Sequence, residues 1–215
     1  MSAAPPTYGP EGAADLLRRG VWSQNPVLYQ TLGICSALAV TNQLDKTLVM
    51  GASLTFVCTL SCLIVSLLRR WTPRRVRMIV QMLVITTLVI VVDLYLRSHW
   101  IAMRNALGPY LELIITNCVI MGRCEAYASR EGPARASLDG LANGLGYSAV
   151  LCVIALVREP LGSGTLLGVP VFGEGFMPAR LAAMAPGAFL AMGCLVWAVR
   201  GLVPAPSAEP QPAVR

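Results

Sequence analysis

The chain has 215 residues, 55% of them apolar and only 13% charged, with seventeen Lys and Arg against eleven Asp and Glu for a formal net charge of +6. Soluble domains carry roughly 25% charged residues, so this composition, with a mean hydropathy of +0.63, excludes an ordinary water-soluble domain and points to a chain surrounded by lipid or protein. The positive charge does not indicate nucleic acid, because the basic residues sit between long apolar runs with no soluble domain to carry them.

Residues 1–22 begin MSAAPPTYGPEGAADLLRRG and hold Pro, Gly, Glu11 and Asp15 but no apolar core. No cleavable leader is expected there; the first apolar helix serves as its own insertion signal. Six spans follow within a transmembrane domain read as 23–203. Residues 26–41 make a first, short one, interrupted by Gln30, Thr31, Gly33 and Ser36. Residues 47–68 and 76–96 are long enough to cross a bilayer without help, a crossing taking roughly 20 mostly apolar residues. Residues 107–122 are again interrupted, by Pro109, Glu112, Thr116 and Asn117. Residues 141–157 open on a glycine-rich stretch suited to close packing against a neighbouring helix. Residues 181–203 are long and contain Pro186, which transmembrane helices tolerate. The stretch 159–180 reads as an outer loop, and 204–215, rich in Pro and Ala, as a disordered tail.

The order short–long–long, then short–medium–long, suggests an all-α membrane protein built as two inverted three-helix repeats, with helices 1 and 4 short or broken. Broken segments at matching places in two inverted halves point to a site near the bilayer midplane. With the N-terminus inside, twelve basic residues fall on inner segments and five (Lys46, Arg97, Arg104, Arg158 and Arg180) on outer ones. Both termini are therefore expected to be cytoplasmic.

Cys35 and Cys118 lie in the middle of the two interrupted spans. Their paired placement suggests metal ligation, since thiolates suit iron–sulfur clusters, zinc or Cu(I); against this, free cysteine often packs as a small hydrophobe. An iron–sulfur cluster normally takes four thiolates, so two more must come from elsewhere. Cys58 and Cys62, one turn apart, can in principle supply them within the chain, although packing explains them as well, as it does Cys124, Cys152 and Cys194. Asp93 interrupts an apolar run and either faces an ion path or pairs with Arg97 one turn on. Asp139 precedes the fifth span and reads as a helix cap or as an ion-entry carboxylate, the cap being favoured. Glu159 is expected to pair with Arg158. Nucleotide-binding glycine motifs are absent, and His99 is the only histidine, which leaves a histidine-based triad or zinc dyad without support.

From QNPVLYQTLGICSALAVT onward the chain resembles the D-type family of membrane subunits of the bacterial sodium-translocating NADH:quinone reductases. The likeness continues through VRMIVQMLVITTLVIVVD, LIITNCVIMGRCEAYA, LDGLANGLGYSAVL and REPLGSGTLLGV, covering roughly residues 24–203. The E-type subunit of Rnf complexes is a near relative, in which a proline is expected in place of Ser36 and a different sequence at Val80–Gln81.

The resemblance implies a pair of homologous six-helix subunits, one D-type and one E-type, in opposite orientations in the bacterial cytoplasmic (inner) membrane. It implies one [2Fe–2S] cluster between them with two cysteines from each, matching Cys35 and Cys118 here. NADH, flavins and quinone would be bound elsewhere in a six-subunit reductase, and electron flow would be coupled to Na+ export. The family's acidic residues are implicated in the Na+ path, and Asp93 and Asp139 occupy candidate positions. Two residues depart from the family's pattern: Cys124 stands where alanine is usual, and Glu112 where a small residue is expected. Glu112 facing the cluster would lower its potential, so it is expected to face solvent or a partner instead. The competing readings are an E-type subunit of an Rnf ferredoxin:NAD oxidoreductase and a small secondary transporter, for which inverted repeats and intramembrane carboxylates are also suitable.

Overall fold

Runs of Leu, Val, Ile and Met fold into the one local element that satisfies its own backbone amides without water, the α-helix. A computed structural model describes residues 25–73, 75–166, 169–170 and 184–202. Its helices are α1 (Ile34–Val40), α2 (Leu44–Leu68), α3 (Arg77–His99), α4 (Ile101–Ile115), α5 (Cys118–Arg123), α6 (Pro133–Ser163) and α7 (Ala185–Leu202). A single π-helical turn, Cys124–Ala128, prolongs α5. The only strands among the described residues form a two-residue hairpin, β1 (Thr165–Leu166) and β2 (Val169–Pro170), paired antiparallel.

Among the described residues three helices are long and apolar enough to cross a membrane: Leu44–Leu68, Arg77–His99 and Pro133–Gly162. The last has 30 residues, about 45 Å at 1.5 Å per residue against a hydrocarbon core of roughly 30 Å. The expected span at 141–157 is thus a much longer helix. Its start was hidden in PARASLDG, a polar run that Pro133 at the first turn commits to helix. Its end runs past Pro160 to Gly164, whose left-handed backbone (φ 68°) closes the helix with an N–H bond to the Pro160 carbonyl at 3.0 Å. The expected outer loop therefore begins later, and most of it lies outside the described residues, as do segment 1–22 and tail 204–215. The expected long span at 181–203 appears as α7, apolar but shorter over its described length.

The two interrupted spans differ from regular helices. In the first, only Ile34–Val40 is α-helical, preceded by turns over residues 26–33 in which Thr31 (φ 52°) and Gly33 (φ 79°) take left-handed backbone. In the second, α4 stops at Ile115, and α5 starts with Cys118 behind Asn117, whose side chain accepts the Val119 N–H at 2.9 Å.

The centre of the molecule is the α2–α6 contact, built from small residues. A β-carbon at Gly144 would lie 2.9 Å from Thr55 Cα, and one at Gly140 would lie 3.0 Å from the Cys58 carbonyl oxygen. Ser148 Oγ donates to the Gly51 carbonyl at 3.0 Å, where the two backbones approach. Small residues allow helices to touch in lipid, where water gives no hydrophobic drive to association. Around this core the outward faces are apolar: Ile79 and Leu83 on α3 and Leu190 on α7 are all exposed.

Polar groups tie off both ends of the bundle. At one end Arg69 Nη1 donates to the Arg130 and Glu131 carbonyls at 2.6 and 3.0 Å, and Ser66 Oγ donates to the Glu131 carbonyl at 2.7 Å. At the other, buried Arg158 reaches Thr41 Oγ1 and the Met184 carbonyl, while Glu159 Oε2 accepts the Leu44 N–H at 3.0 Å, at the start of α2. A carboxylate there answers one of the unpaired amides of a helix N-terminus and suits its dipole.

Gly144→Ala should lower the thermal midpoint of the purified protein, because overpacking costs about 1–3 kcal/mol. Gly193→Ala, where nothing lies within 4 Å of an added β-carbon, should leave the midpoint unchanged. Differential scanning fluorimetry in detergent compares the two, and equal midpoints would refute the close-packing account.

Candidate metal centre at two helix breaks

Each interruption sets a cysteine at the beginning of the helical piece that follows it. Cys35 is the second residue of α1, and Cys118 is the first residue of α5. The structure brings the two interruptions together, for the Gly33 backbone N–H donates to Cys118 Sγ at 2.8 Å. Gly33 therefore joins one break to the sulfur of the other, across 85 residues of sequence.

Tyr147 of α6 fixes this arrangement from behind. Its hydroxyl donates to the Gly33 carbonyl at 3.2 Å and lies against Ser36 Oγ. Asn117 Nδ2 donates to Ser36 Oγ at 3.0 Å, and Ser36 Oγ in turn donates to the Gly33 carbonyl at 3.1 Å. On the N-terminal side Asn25 Nδ2 donates to the Gly146 carbonyl at 3.0 Å. Ser36, Asn117 and Tyr147 are all fully buried. Buried polar groups need partners, and here the groups released by one break are answered by the other break and by α6. Gly33 has to be glycine on two counts: its φ is +79°, and a β-carbon there would lie 2.5 Å from Tyr147 Cε2.

Cys35 is exposed and Cys118 half-buried. Thr31 and Thr116, one at each break, are exposed as well. An amide N–H aimed at a sulfur favours the electron-rich, metal-bound or thiolate form and is one of the levers on iron–sulfur potentials. The donor set therefore fits half of a thiolate metal site.

Cys58 and Cys62 do not complete it. They are fully buried on α2, and Cys62 Sγ packs 3.9 Å from Cys124 Sγ, which approaches Ser61 Oγ at 3.6 Å. Among the described residues no three His, Cys, Asp or Glu side chains gather as a metal-binding set.

The candidate carboxylates are engaged. Asp93 Oδ2 accepts from Arg97 Nε at 2.9 Å, one turn away on α3. Asp139 does not cap a helix: α6 starts behind Gly132, and Asp139 lies nearly two turns inside it. Buried there, it receives both arms of Arg123, Nε to Oδ2 at 2.8 Å and Nη2 to Oδ1, while Asn143 Nδ2 donates to Oδ1 at 3.0 Å. Arg123 also lies over the Tyr127 ring, 5.6 Å from its centre. Glu125 accepts from Arg77 Nη1 and Gln81 Nε2, each at 3.0 Å. Sequence reasoning missed Gly33, Tyr147 and Arg123. The signals were slight: a glycine two residues before a cysteine, a tyrosine in an otherwise small and apolar stretch, and an arginine five residues after Cys118.

The sequence signature of the Rnf-Nqr subunits, described as membrane proteins, matches residues 13–196. A protein of Serratia proteamaculans, named as the D subunit of the Na(+)-translocating NADH-quinone reductase, is 44% identical over 190 residues, which cover 86% of this chain and 91% of that protein. Proteins of the same name from Yersinia enterocolitica and Yersinia pestis are 45% identical over 190 residues, with the same coverage. With such a match over most of its length, and with three helices fit to cross a bilayer, the chain belongs to the Rnf-Nqr family of membrane subunits.

Proposed function

We propose that this chain is the D-type membrane subunit of a sodium-translocating NADH:quinone reductase, in which Cys35 and Cys118 hold one half of a [2Fe–2S] cluster. The observation that carries the reading is the Gly33 N–H to Cys118 Sγ bond, which brings together the two helix breaks that each precede one of these cysteines, neither of them fully buried. The names of the 44–45% identical relatives support the complex and its sodium coupling. The other two thiolates come from a homologous E-type six-helix subunit in the opposite orientation. Six spans arranged as two inverted repeats, with both termini in the cytoplasm of a bacterial inner membrane, fit the paired breaks and the bias of basic residues.

When bound, such a cluster supplies one-electron exchange between donor and acceptor cofactors held by other subunits. The chain's own residues do three things. Cys35 and Cys118 ligate. The Gly33 amide directs positive charge at the Cys118 sulfur, which favours the reduced state. Tyr147, Ser36 and Asn117 keep the two breaks in register and exclude water from the back of the site. Asp139 belongs to the Na+ path in this reading, with Arg123 as the counter-charge that must yield when a cation arrives, and Asp93 lies nearer the opposite surface.

Co-expression with an E-type partner, followed by iron analysis and EPR, tests the proposal. The pair should carry iron and a [2Fe–2S] signal; Cys118→Ala should abolish both, and Cys62→Ala should keep both. An unchanged signal in Cys118→Ala would overturn the reading. Gly33→Ala should also lose iron, whereas Tyr147→Phe should keep it and lower stability by about 0.5–1.5 kcal/mol, the net worth of a hydrogen bond.

The sodium role separates from a structural one by a charge-removal pair. Asp139→Asn leaves Arg123 buried without its counter-charge, at a cost of roughly 3–5 kcal/mol, while replacing both members of a buried pair by apolar residues is often neutral. Arg123→Met/Asp139→Leu should therefore recover the stability that Asp139→Asn loses, yet still fail to transport sodium in vesicles. Recovery of transport along with stability would remove Asp139 from the path.

A further inference from the structure

Glu112 is an exposed carboxylate on α4, and among the described residues no hydrogen bond or ion pair reaches it. Its neighbours in sequence face the other way: Leu111 is 4% exposed and Ile114 is fully buried. One turn after Glu112, on the same side of the helix, comes Thr116, also exposed, and then Cys118. Helix α4 thus carries Glu112 on an exposed side and ends, one turn later, at the break that sets Cys118.

In the six-span arrangement proposed above, depth makes this carboxylate costly. Helix α4 begins at Ile101, directly after the exposed Trp100 that ends α3, and tryptophan is the residue of membrane interfaces. Glu112 is eleven residues further on, about 16 Å at 1.5 Å per residue, or roughly half of a 30 Å hydrocarbon core. A charged side chain at that depth costs a few kcal/mol on insertion scales and is found paired or facing protein. Thr31, at the other break, is exposed and polar as well, so this stretch of surface contrasts with the leucines and isoleucines elsewhere on the outside.

We infer that Glu112 is an ion-pair anchor for the partner subunit: it docks against a lysine or arginine that the partner presents at the same depth, one turn before the break that sets Cys118. The occupant follows from charge complementarity, because a carboxylate exposed in a low-dielectric layer is stabilised by a cation and not by acyl chains. This rests on the proposed pairing with a second six-helix subunit and adds the chemistry by which that subunit is recognised. An ion pair at an interface fixes register and rejects wrong partners, which the close approach of four thiols requires.

The test uses the purified complex and the hydrophobic reagent dicyclohexylcarbodiimide, which modifies carboxyl groups reachable from lipid. Mass spectrometry should find Glu112 unmodified in the intact complex and modified after the same sample is denatured in SDS. Glu112→Gln should reduce recovery of the partner on affinity purification by at least about tenfold, and Glu112→Lys should abolish it. Modification of Glu112 in the intact complex, or full recovery of the partner with Glu112→Lys, would overturn the inference. Iron measured in the same samples keeps the two ideas apart. A wild-type complex with iron but with Glu112 modified sinks the anchor alone, whereas a complex without iron in which Glu112 is protected sinks the cluster and supports the anchor.

Discussion

A chain that breaks a helix among buried side chains has to find partners for the backbone groups the break releases. Here two breaks supply them to each other. The N–H of Gly33 goes to the sulfur of Cys118, and its carbonyl takes hydroxyl donors from Tyr147 and Ser36. Asn117 caps α5 with its oxygen and holds Ser36 with its nitrogen. No one of these contacts is worth more than about a kcal/mol. They are mutually dependent, however, and the left-handed backbone at Thr31 and Gly33 persists because the surroundings enforce it. The scaffold that does so is α6, which is itself locked to α2 by glycine contacts too tight to admit a β-carbon.

Charge is handled in the same way. Carboxylates along the bundle meet arginines: Asp139 with Arg123, Glu125 with Arg77, Asp93 with Arg97. Two of these pairs link separate parts of the chain, tying the half-helix after Cys118 to α6 and to α3. The half-helix that starts at a cysteine is therefore held at its far end by Arg123 and by Glu125. Removing one member of a buried pair leaves an uncompensated charge, which is more damaging than losing both, so Arg123 and Asp139 have structural reasons to persist alongside any part in ion movement.

Much of the fold was legible because apolar runs in lipid leave few choices. The limits of α2 and α3 lie within a few residues of those read from hydropathy alone, and the two interrupted spans stood out by their polar content. The start of α6 was not legible: its first turns are polar, and a search for apolar runs begins too late. Asp139 was misread as a cap for the same reason, since a helix beginning at Pro133 makes it an interior residue. Within the site, Cys35 and Cys118 could be singled out from placement. Tyr147 and Gly33 could not, because their contact closes 114 residues of sequence and nothing local to either marks it. Arg123 and Asp139 are 16 residues apart on different helices, a separation that no helical periodicity predicts.

The remaining question is why two cysteines should be placed so unlike the others. Cys58, Cys62 and Cys124 show what the chain does with a cysteine kept for packing: all three are fully buried, and the sulfurs of Cys62 and Cys124 touch. Cys35 and Cys118 are treated differently, placed at two helix breaks that touch, one of them exposed and the other half-buried. Burial would have been the more stable arrangement for a small apolar side chain. Two breaks and two left-handed residues are costs that packing a small apolar side chain does not require, which is why these two cysteines, and not the buried three, are the ligands of the function proposed above.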